Sequence, residues 1–352
     1  MKKRLEMIVK RLPAVIATVG AAVLIVALPG YSAEGVKRGL YLCAANVVPS
    51  LFPFCVVSVF FVRSGLCDYV GKLLERPTKA LLDLPGCAGG AVCMSLIAGY
   101  PVGVNMTYEL LSRGQISRSD AQRMTLFCVN PGPAFVIGTV GGGMLASPKA
   151  GVILLISLTL SSLTLGVLTR LMPHGKSENA FRTEPVIVSG ALPEAVMQGT
   201  KNIISICAWV VLFSCALEYI PLLRLPDWAE LLLCCAAEVT GGCSRAAGVL
   251  NMPAIAAVLG WGGVSVHCQV MRQVGECQTP VSQFVCSRFL CAALAAIYCG
   301  VLLKFFPCSV STVLVGNPAV PQLFSFSAPA AVAMLISGAL LILELDKDGK
   351  RC

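Results

Sequence analysis

The sequence predicts an all-α fold: a polytopic membrane protein with two related, inverted repeats, each carrying a helical hairpin or broken helix near the bilayer midplane. Three observations lead there. Hydrophobic residues make up 56% of the 352 and charged residues only 13%, with a mean hydropathy of +0.80; a soluble domain carries roughly a quarter charged residues. Apolar stretches of about 20 residues, enough to cross a bilayer as helix, recur along the whole chain. Glycine and proline interrupt several of them, in the same order in the two halves.

The spans read in order are 13–30, 40–62, 81–105, 124–146, 150–172, 199–222, 229–250, 253–271, 283–306 and 326–345. All are expected as helices, because hydrocarbon offers no water to an open backbone. "MKKRLEMIVKR" at the start carries five Lys/Arg and by the positive-inside rule keeps the N-terminus cytoplasmic. A cleaved signal peptide is the alternative, with "YSAEG" as a weak cleavage site. "RSGLCDYVGKLLERPTK" (63–79) is basic and amphipathic, an interfacial segment on the cytoplasmic side. In "LSRGQISRSDAQR" (111–123), Ser117 and Asp120 form a capping box that starts a new helix. The expected division is 1–38, basic segment and first membrane helix; 39–172, first repeat; 173–185, polar linker; 186–306, second repeat; 307–352, last membrane helix and charged tail.

The formal net charge is +9, but the basic residues sit at segment ends without interleaved aromatics, so nucleic acid is not an expected partner. The 18 cysteines lie mostly in apolar runs with no C-x-x-C. They read as small hydrophobes at close helix contacts, not as a disulfide scaffold or a metal centre. No nucleophile–base pair, phosphate loop or metal cluster is recognisable, so neither an enzyme nor a cofactor is expected. His174, in the linker, receives no role.

The chemistry is expected where helices break. "NVVPSLFPFCVVSVF" from Asn46 and "NIISICAWVVLFSCA" from Asn202 lead the two halves. "IAGYPVG" (97–103) and "EVTGG" (238–242) follow, then "FVIGTVGG" (135–142) and "AVLGWGG" (257–263). Repeated halves with interrupted helices in matching places point to the binding site of a secondary transporter. Asn130-Pro131-Gly132-Pro133 cannot continue a helix. Such a break leaves bare carbonyls on one side and an anion-attracting half-helix start on the other, unless it is a loop outside the membrane. Around Gly99, Tyr100 offers a ring and a hydroxyl, or is an interfacial aromatic. Glu238, with Thr240 and Gly241 beside it, is an acid at membrane depth. It is costly unless it faces a cavity, is protonated or is paired, the pairing candidates being Arg245 and Arg272. In "GGVSVHCQV" (262–270), Gly262 and Gly263 permit unwinding. An extended backbone would put Ser265, His267 and Gln269 on one side, presenting donors and acceptors to a small polar solute; the alternative is a core histidine with its bonds satisfied.

"NVVPSLFPF", "AGYPVG", "CVNPGPAFVIGTVG", "EVTGG" and "GWGGVSVHCQV", in this order from Asn46 to Phe306, resemble the YlbJ-type sporulation integral membrane protein family. That family falls in the nucleoside-recognition (gate) domain group, distantly similar to concentrative nucleoside transporters. The resemblance implies a multi-pass protein of spore-forming bacteria that moves dipicolinic acid from mother cell towards forespore. It also implies hairpin tips at Gly99–Gly103 and Glu238–Gly242, and unwound stretches at Asn130–Pro133 and Gly260–Gln269. The nucleoside carriers use more acids than the nearly solitary Glu238 provides, which weighs against nucleosides.

The expectation is therefore a permease of a small anionic or heteroaromatic metabolite. Its binding residues are Gly99, Tyr100, Asn130, Gly132, Thr240, Gly241, Gly262, Gly263, Ser265, His267 and Gln269, with Glu238 as the ionisable group. The alternatives are a nucleoside or nucleobase carrier and a non-transporting scaffold. The implied partners are the solute, the lipid bilayer and a proton or Na⁺ for coupling, with homo-oligomerisation open. The implied location is the cell membrane, in the mother-cell or outer forespore membrane on the sporulation reading.

Overall fold

The computed structural model describes residues 15–16, 18–172 and 191–308. The basic segment 1–11, the linker 173–185 and the span expected at 326–345 lie outside them. Among the described residues every regular element is a helix, as a backbone in hydrocarbon requires.

α1 (Thr18–Ala27) is bent by 98° from the helix after it. α2 (Pro29–Leu42) passes through a π-helical turn, Cys43–Val47, into α3 (Val48–Arg63). The boundary expected at 38/39 thus falls inside a continuous helix. The short α4 (Leu66–Leu73) and α5 (Glu75–Pro77, continued by a π turn at Thr78–Leu82) come next. On α4, Leu66, Tyr69 and Leu73 are exposed on one stripe, as the interfacial reading of 63–79 expects.

The rest of the first half is α6 (Gly86–Ala98), α7 (Tyr100–Ser112), α8 (Arg118–Phe127), a π-helix π1 (Ala134–Met144) and α9 (Pro148–Leu168). The second half has α10 (Ala191–Leu217), α11 (Asp227–Ala237), α12 (Val239–Ala246), α13 (Met252–Trp261), α14 (Gly263–Glu276) and α15 (Val281–Phe305). The expected capping box starts α8: Ser117 Oγ accepts from the Asp120 N–H at 3.1 Å, and Asp120 Oδ2 from the Ser117 N–H at 3.3 Å.

Among the described residues four helices are long and apolar enough to cross a membrane, or up to six if each of two bent pairs counts as one span. Their outer faces carry exposed aliphatics at helical spacing, such as Val152, Ile156 and Leu160 on α9 and Ile297 and Val301 on α15. Stripes of this kind are a liability in water and match a lipid surface. The chain is a multi-pass membrane protein.

The expected spans 81–105 and 229–250 are hairpins. α6 turns back into α7 at Gly99, with the β position of Gly103 crowded by Ser95; α11 turns back into α12 at Glu238, with that of Gly242 only 2.7 Å from the Cys235 Cα. The other two short spans are interrupted helices. α8 leads through Cys128–Pro133 into π1, and α13 leads into α14 with a break at Gly262.

Each half therefore runs long helix, hairpin, interrupted helix, long helix, and the contacts between halves are reciprocal. Between the halves, α3 packs on α10 and α9 on α15, α7 on α14 and α12 on π1, and α13 on α9 and α8 on α15; within them, π1 packs on α3 and, correspondingly, α14 on α10. α2–α3 runs antiparallel to α10 along its length. Arg38 pairs with Glu218 at one end, the Cys43 thiol meets the Cys207 carbonyl in the middle, and Arg63 pairs with Glu194 at the other end. The buried Cys43, Cys55, Cys207, Cys291 and Cys299 lie in these seams, as expected of small hydrophobes that let helices approach.

Candidate functional site

The breaks are built from residues that tolerate what a helix cannot. Gly99 takes φ +98° and ψ 176°, a region only glycine occupies readily. Gly132 touches this hairpin tip so closely that a β-carbon on it would lie 3.0 Å from the Ile97 carbonyl oxygen. In the second half, a β-carbon on Gly263 would lie 3.1 Å from the Glu238 Cα. The Tyr100 ring reaches over from the first half to Gly262, and its hydroxyl donates to the Leu259 carbonyl at 2.8 Å. All four interruptions therefore meet.

They enclose a cavity of about 40 Å³, walled by Gly99–Pro101, Gly132 and Phe135, Glu238–Thr240, and Val266 and Gln269. α3 and α10 close its sides with Leu51, Cys55, Ile206 and Val210. The space admits a few waters and is far smaller than the roughly 300 Å³ at which ligand pockets begin. Its surface is mainly apolar. In this conformation the site is contracted.

Of the expected binding residues, Gly99, Tyr100, Gly132, Thr240 and Gln269 line the cavity, together with Glu238. Gly241 and Gly262 support the wall, the first through Glu238 and the second beneath Tyr100. Asn130, Ser265 and His267 lie elsewhere. The extended backbone expected for Ser265, His267 and Gln269 is not what forms. The positive φ angles stop at Gly262 (82°) and Gly263 (79°), and residues 263–276 are α-helix. The two glycines suffice to interrupt the helix, after which the N–H groups of the next turn recover their partners. On that helix the three side chains diverge. Gln269 reaches the cavity, whereas His267 packs edge-on to Trp261 (4.2 Å between ring centroids) and bonds the Trp261 carbonyl at 3.0 Å. It is a core histidine. The buried Ser265 hydroxyl has no hydrogen-bond partner among the described residues.

The bare backbone expected at the breaks is largely occupied by the protein's own side chains. Asn130 Nδ2 donates to the Phe127 carbonyl at 2.9 Å and to Ser162 Oγ at 3.1 Å, which makes it a pin for the end of α8. Trp261 Nε1 donates to the Ala236 carbonyl at 2.9 Å. Glu238 is the N-cap of α12, accepting from the Thr240 N–H at 2.9 Å and the Gly241 N–H at 2.5 Å. Arg245 pairs instead with Glu230 at 2.7 Å, and no ion pair joins Glu238 to Arg245 or Arg272 among the described residues. The carboxyl group lies at the positive end of its own half-helix.

Sequence reasoning missed Arg288 on α15. It is 1% exposed and donates to the Val129 carbonyl at 2.6 Å and to the Leu126 carbonyl. A second-half guanidinium thus clamps the broken end of α8 in the first half. Its signal was an arginine inside the apolar run 283–306, where any charge has a purpose.

A second, larger cavity of about 280 Å³, the vestibule, opens along four helices that also line the first, α3, α7, α10 and α14. Its walls include Ser58, Asn105, Asn202, Arg272 and Gln273, so it is polar where the inner one is apolar.

No family model matches the chain, and no solved structure matches it. The sporulation integral membrane protein YlbJ of Bacillus subtilis (strain 168) is 25% identical over 325 residues, covering 80% of this chain and 79% of that protein. With the order of its broken-helix motifs, this similarity supports a relationship to the YlbJ-type sporulation integral membrane proteins.

Proposed function

We propose that the protein is a permease for a small polar metabolite, working by alternate exposure of a site between two inverted repeats. One observation carries the reading: four helix interruptions, two from each half, converge on a single central cavity. The reciprocal contacts between the halves are those of a pseudo-two-fold relation. The hairpins also enter from opposite sides. α7 runs from the cavity to the vestibule, whereas α10 runs from the vestibule past the cavity, so α11 and α12 approach from beyond it. This is the arrangement of transporters with interrupted helices around a midplane site.

A planar dianion such as dipicolinate is the substrate favoured here. Glu238, already held by two backbone N–H groups, does not oppose it as a free acid would. The start of α7 at Gly99–Pro101 lines the cavity and has no side-chain cap, which leaves a positive half-helix end for a carboxylate. Arg63 lines the vestibule and Arg113 pairs with its Glu109, while Lys72, Arg76, Lys79 and Arg118 lie on the segments that follow α3 and α7. By the positive-inside rule the vestibule end faces the cytoplasm, and a proton or Na⁺ gradient would drive the cycle.

The test is uptake of labelled dipicolinate against labelled uridine in proteoliposomes, with and without ion gradients. Dipicolinate is expected to accumulate, and Gln269→Leu to lower the rate at unchanged protein level. Folded protein that takes up neither solute rejects the permease reading. The contracted, apolar state of the inner cavity favours one second reading, a scaffold of the same fold that assembles with partner membrane proteins. Full sporulation in a strain carrying Gln269→Leu would favour that alternative.

A further inference from the structure

The vestibule and the inner cavity are lined by the same four helices, and the residue numbers fix the distance between them. Moving outward from Cys55, Pro101, Ile206 and Gln269 on the inner wall, three or four residues lead to Ser58, Asn105, Asn202, Arg272 and Gln273. At 1.5 Å per residue that is about 5–6 Å, one helical turn. Seven or eight residues lead to Arg63, Glu109, Gln198 and Glu276, a rim about 11–12 Å out. The vestibule therefore has two layers, with its floor one turn from the central site.

The layers differ in charge. Both carboxylates, Glu109 and Glu276, are in the rim, and Glu109 is held by Arg113 at 2.6 Å while Arg63 is held by Glu194 at 3.2 Å. The floor has no carboxylate. Its Ser58 hydroxyl is spent on the Cys55 carbonyl at 2.9 Å, which leaves three amides and the Arg272 guanidinium, for which no ion pair is found among the described residues. Gln273 Oε1 is buried there with no hydrogen-bond partner among the described residues; being an acceptor it suits water, and the group of this amide that can donate to a carboxylate is Nε2. Half-buried amide donors around one unspent guanidinium suit a carboxylate, to which arginine binds bidentately.

We propose that this floor is a docking site for a small carboxylate solute, where Arg272 takes a carboxylate and Asn105, Asn202 and Gln273 hold it before it passes one turn inward. The proposal rests on the permease reading and adds an outer station to its path. A docking group acts on capture, so its loss raises KM and leaves the maximal rate in place.

The test is uptake and equilibrium binding of labelled pyridine-2,6-dicarboxylate by wild type, Arg272→Gln, Arg272→Lys and Asn202→Leu, with labelled uridine as a neutral control. Arg272→Gln is expected to raise KM about ten-fold or more, the loss of a charge-assisted bond, with the maximal rate kept. Arg272→Lys recovers part of the loss, and the uridine parameters do not follow. Unchanged KM in both Arg272→Gln and Asn202→Leu, in a protein that transports the dicarboxylate, overturns the docking site. Binding without transport, weakened by Arg272→Gln, supports the docking site and rejects the permease. Absence of both binding and transport overturns both.

Discussion

At the tip of the first hairpin, Gly99 bends the chain through φ +98° and brings no side chain to the start of α7; at the tip of the second, Glu238 is extended, with φ −145°, and its carboxylate caps α12. The two tips hold corresponding places around one cavity. One half-helix start is neutralised from within, and the other lies on the cavity wall without a cap. A pair of identical tips would present either two acids or two bare ends to the solute. The difference gives the cavity one polarity, and on the proposed permease reading it lets a buried acid and an anionic solute share the same neighbourhood.

Substituting the capped tip should have the largest effect. Glu238→Leu leaves two buried N–H groups without acceptors and should destabilise the protein by about 2–4 kcal/mol, read as a lowered Tm in detergent. Glu238→Gln, which keeps an acceptor, should lose about half as much. Equal losses in the two variants would mean that charge, not capping, is what this tip requires.

The clamp from the second half onto the first comes next. Arg288→Met withdraws the donors from the Leu126 and Val129 carbonyls and should cost about 2–3 kcal/mol. Exchange of the amide hydrogens of α8 and π1 should rise more than that of α11 and α12. A uniform rise across both halves would contradict the assignment of Arg288 to the first break.

The uncapped tip follows. Gly99→Ala puts a β-carbon on a backbone at φ +98° and should cost about 1–3 kcal/mol by strain. The β position has room, its nearest neighbour being Gly132 N at 3.6 Å, so a neutral outcome would show that the tip has a different backbone. Tyr100→Phe should give the smallest effect, about 0.5–1.5 kcal/mol, for one hydrogen bond to the Leu259 carbonyl. A loss above 3 kcal/mol would give that hydroxyl a role beyond joining the halves.

The helical class, the capping box at Ser117 and the places where helices break were legible in the sequence, because glycine, proline and hydropathy act locally. Gly99, Gly132 and Glu238 were found for that reason. What the breaks turn into was not legible. That 81–105 turns back brings Gly103 against both Ser95 of the same hairpin and the Cys128 carbonyl of the next segment, contacts that exist only in the fold. Ser265 and His267 were misread because a two-residue interruption was extended to nine residues, when hydrogen bonding restores the helix at once. Arg288 could have been suspected as a charge in a span, but its partners are 159 and 162 residues away. The vestibule drew on four helices whose polar residues are each unremarkable in sequence.

The central claim, that the four interruptions form one solute site inside the membrane, is tested most directly by a cryo-electron microscopy structure in lipid nanodiscs with pyridine-2,6-dicarboxylate. The account predicts solute density bounded by Gly99, Gly132, Thr240 and Gln269 at the depth of the hydrocarbon core, in a cavity widened beyond the present 40 Å³. Interruptions lying apart from one another at the membrane surface, with no solute among them, would contradict it.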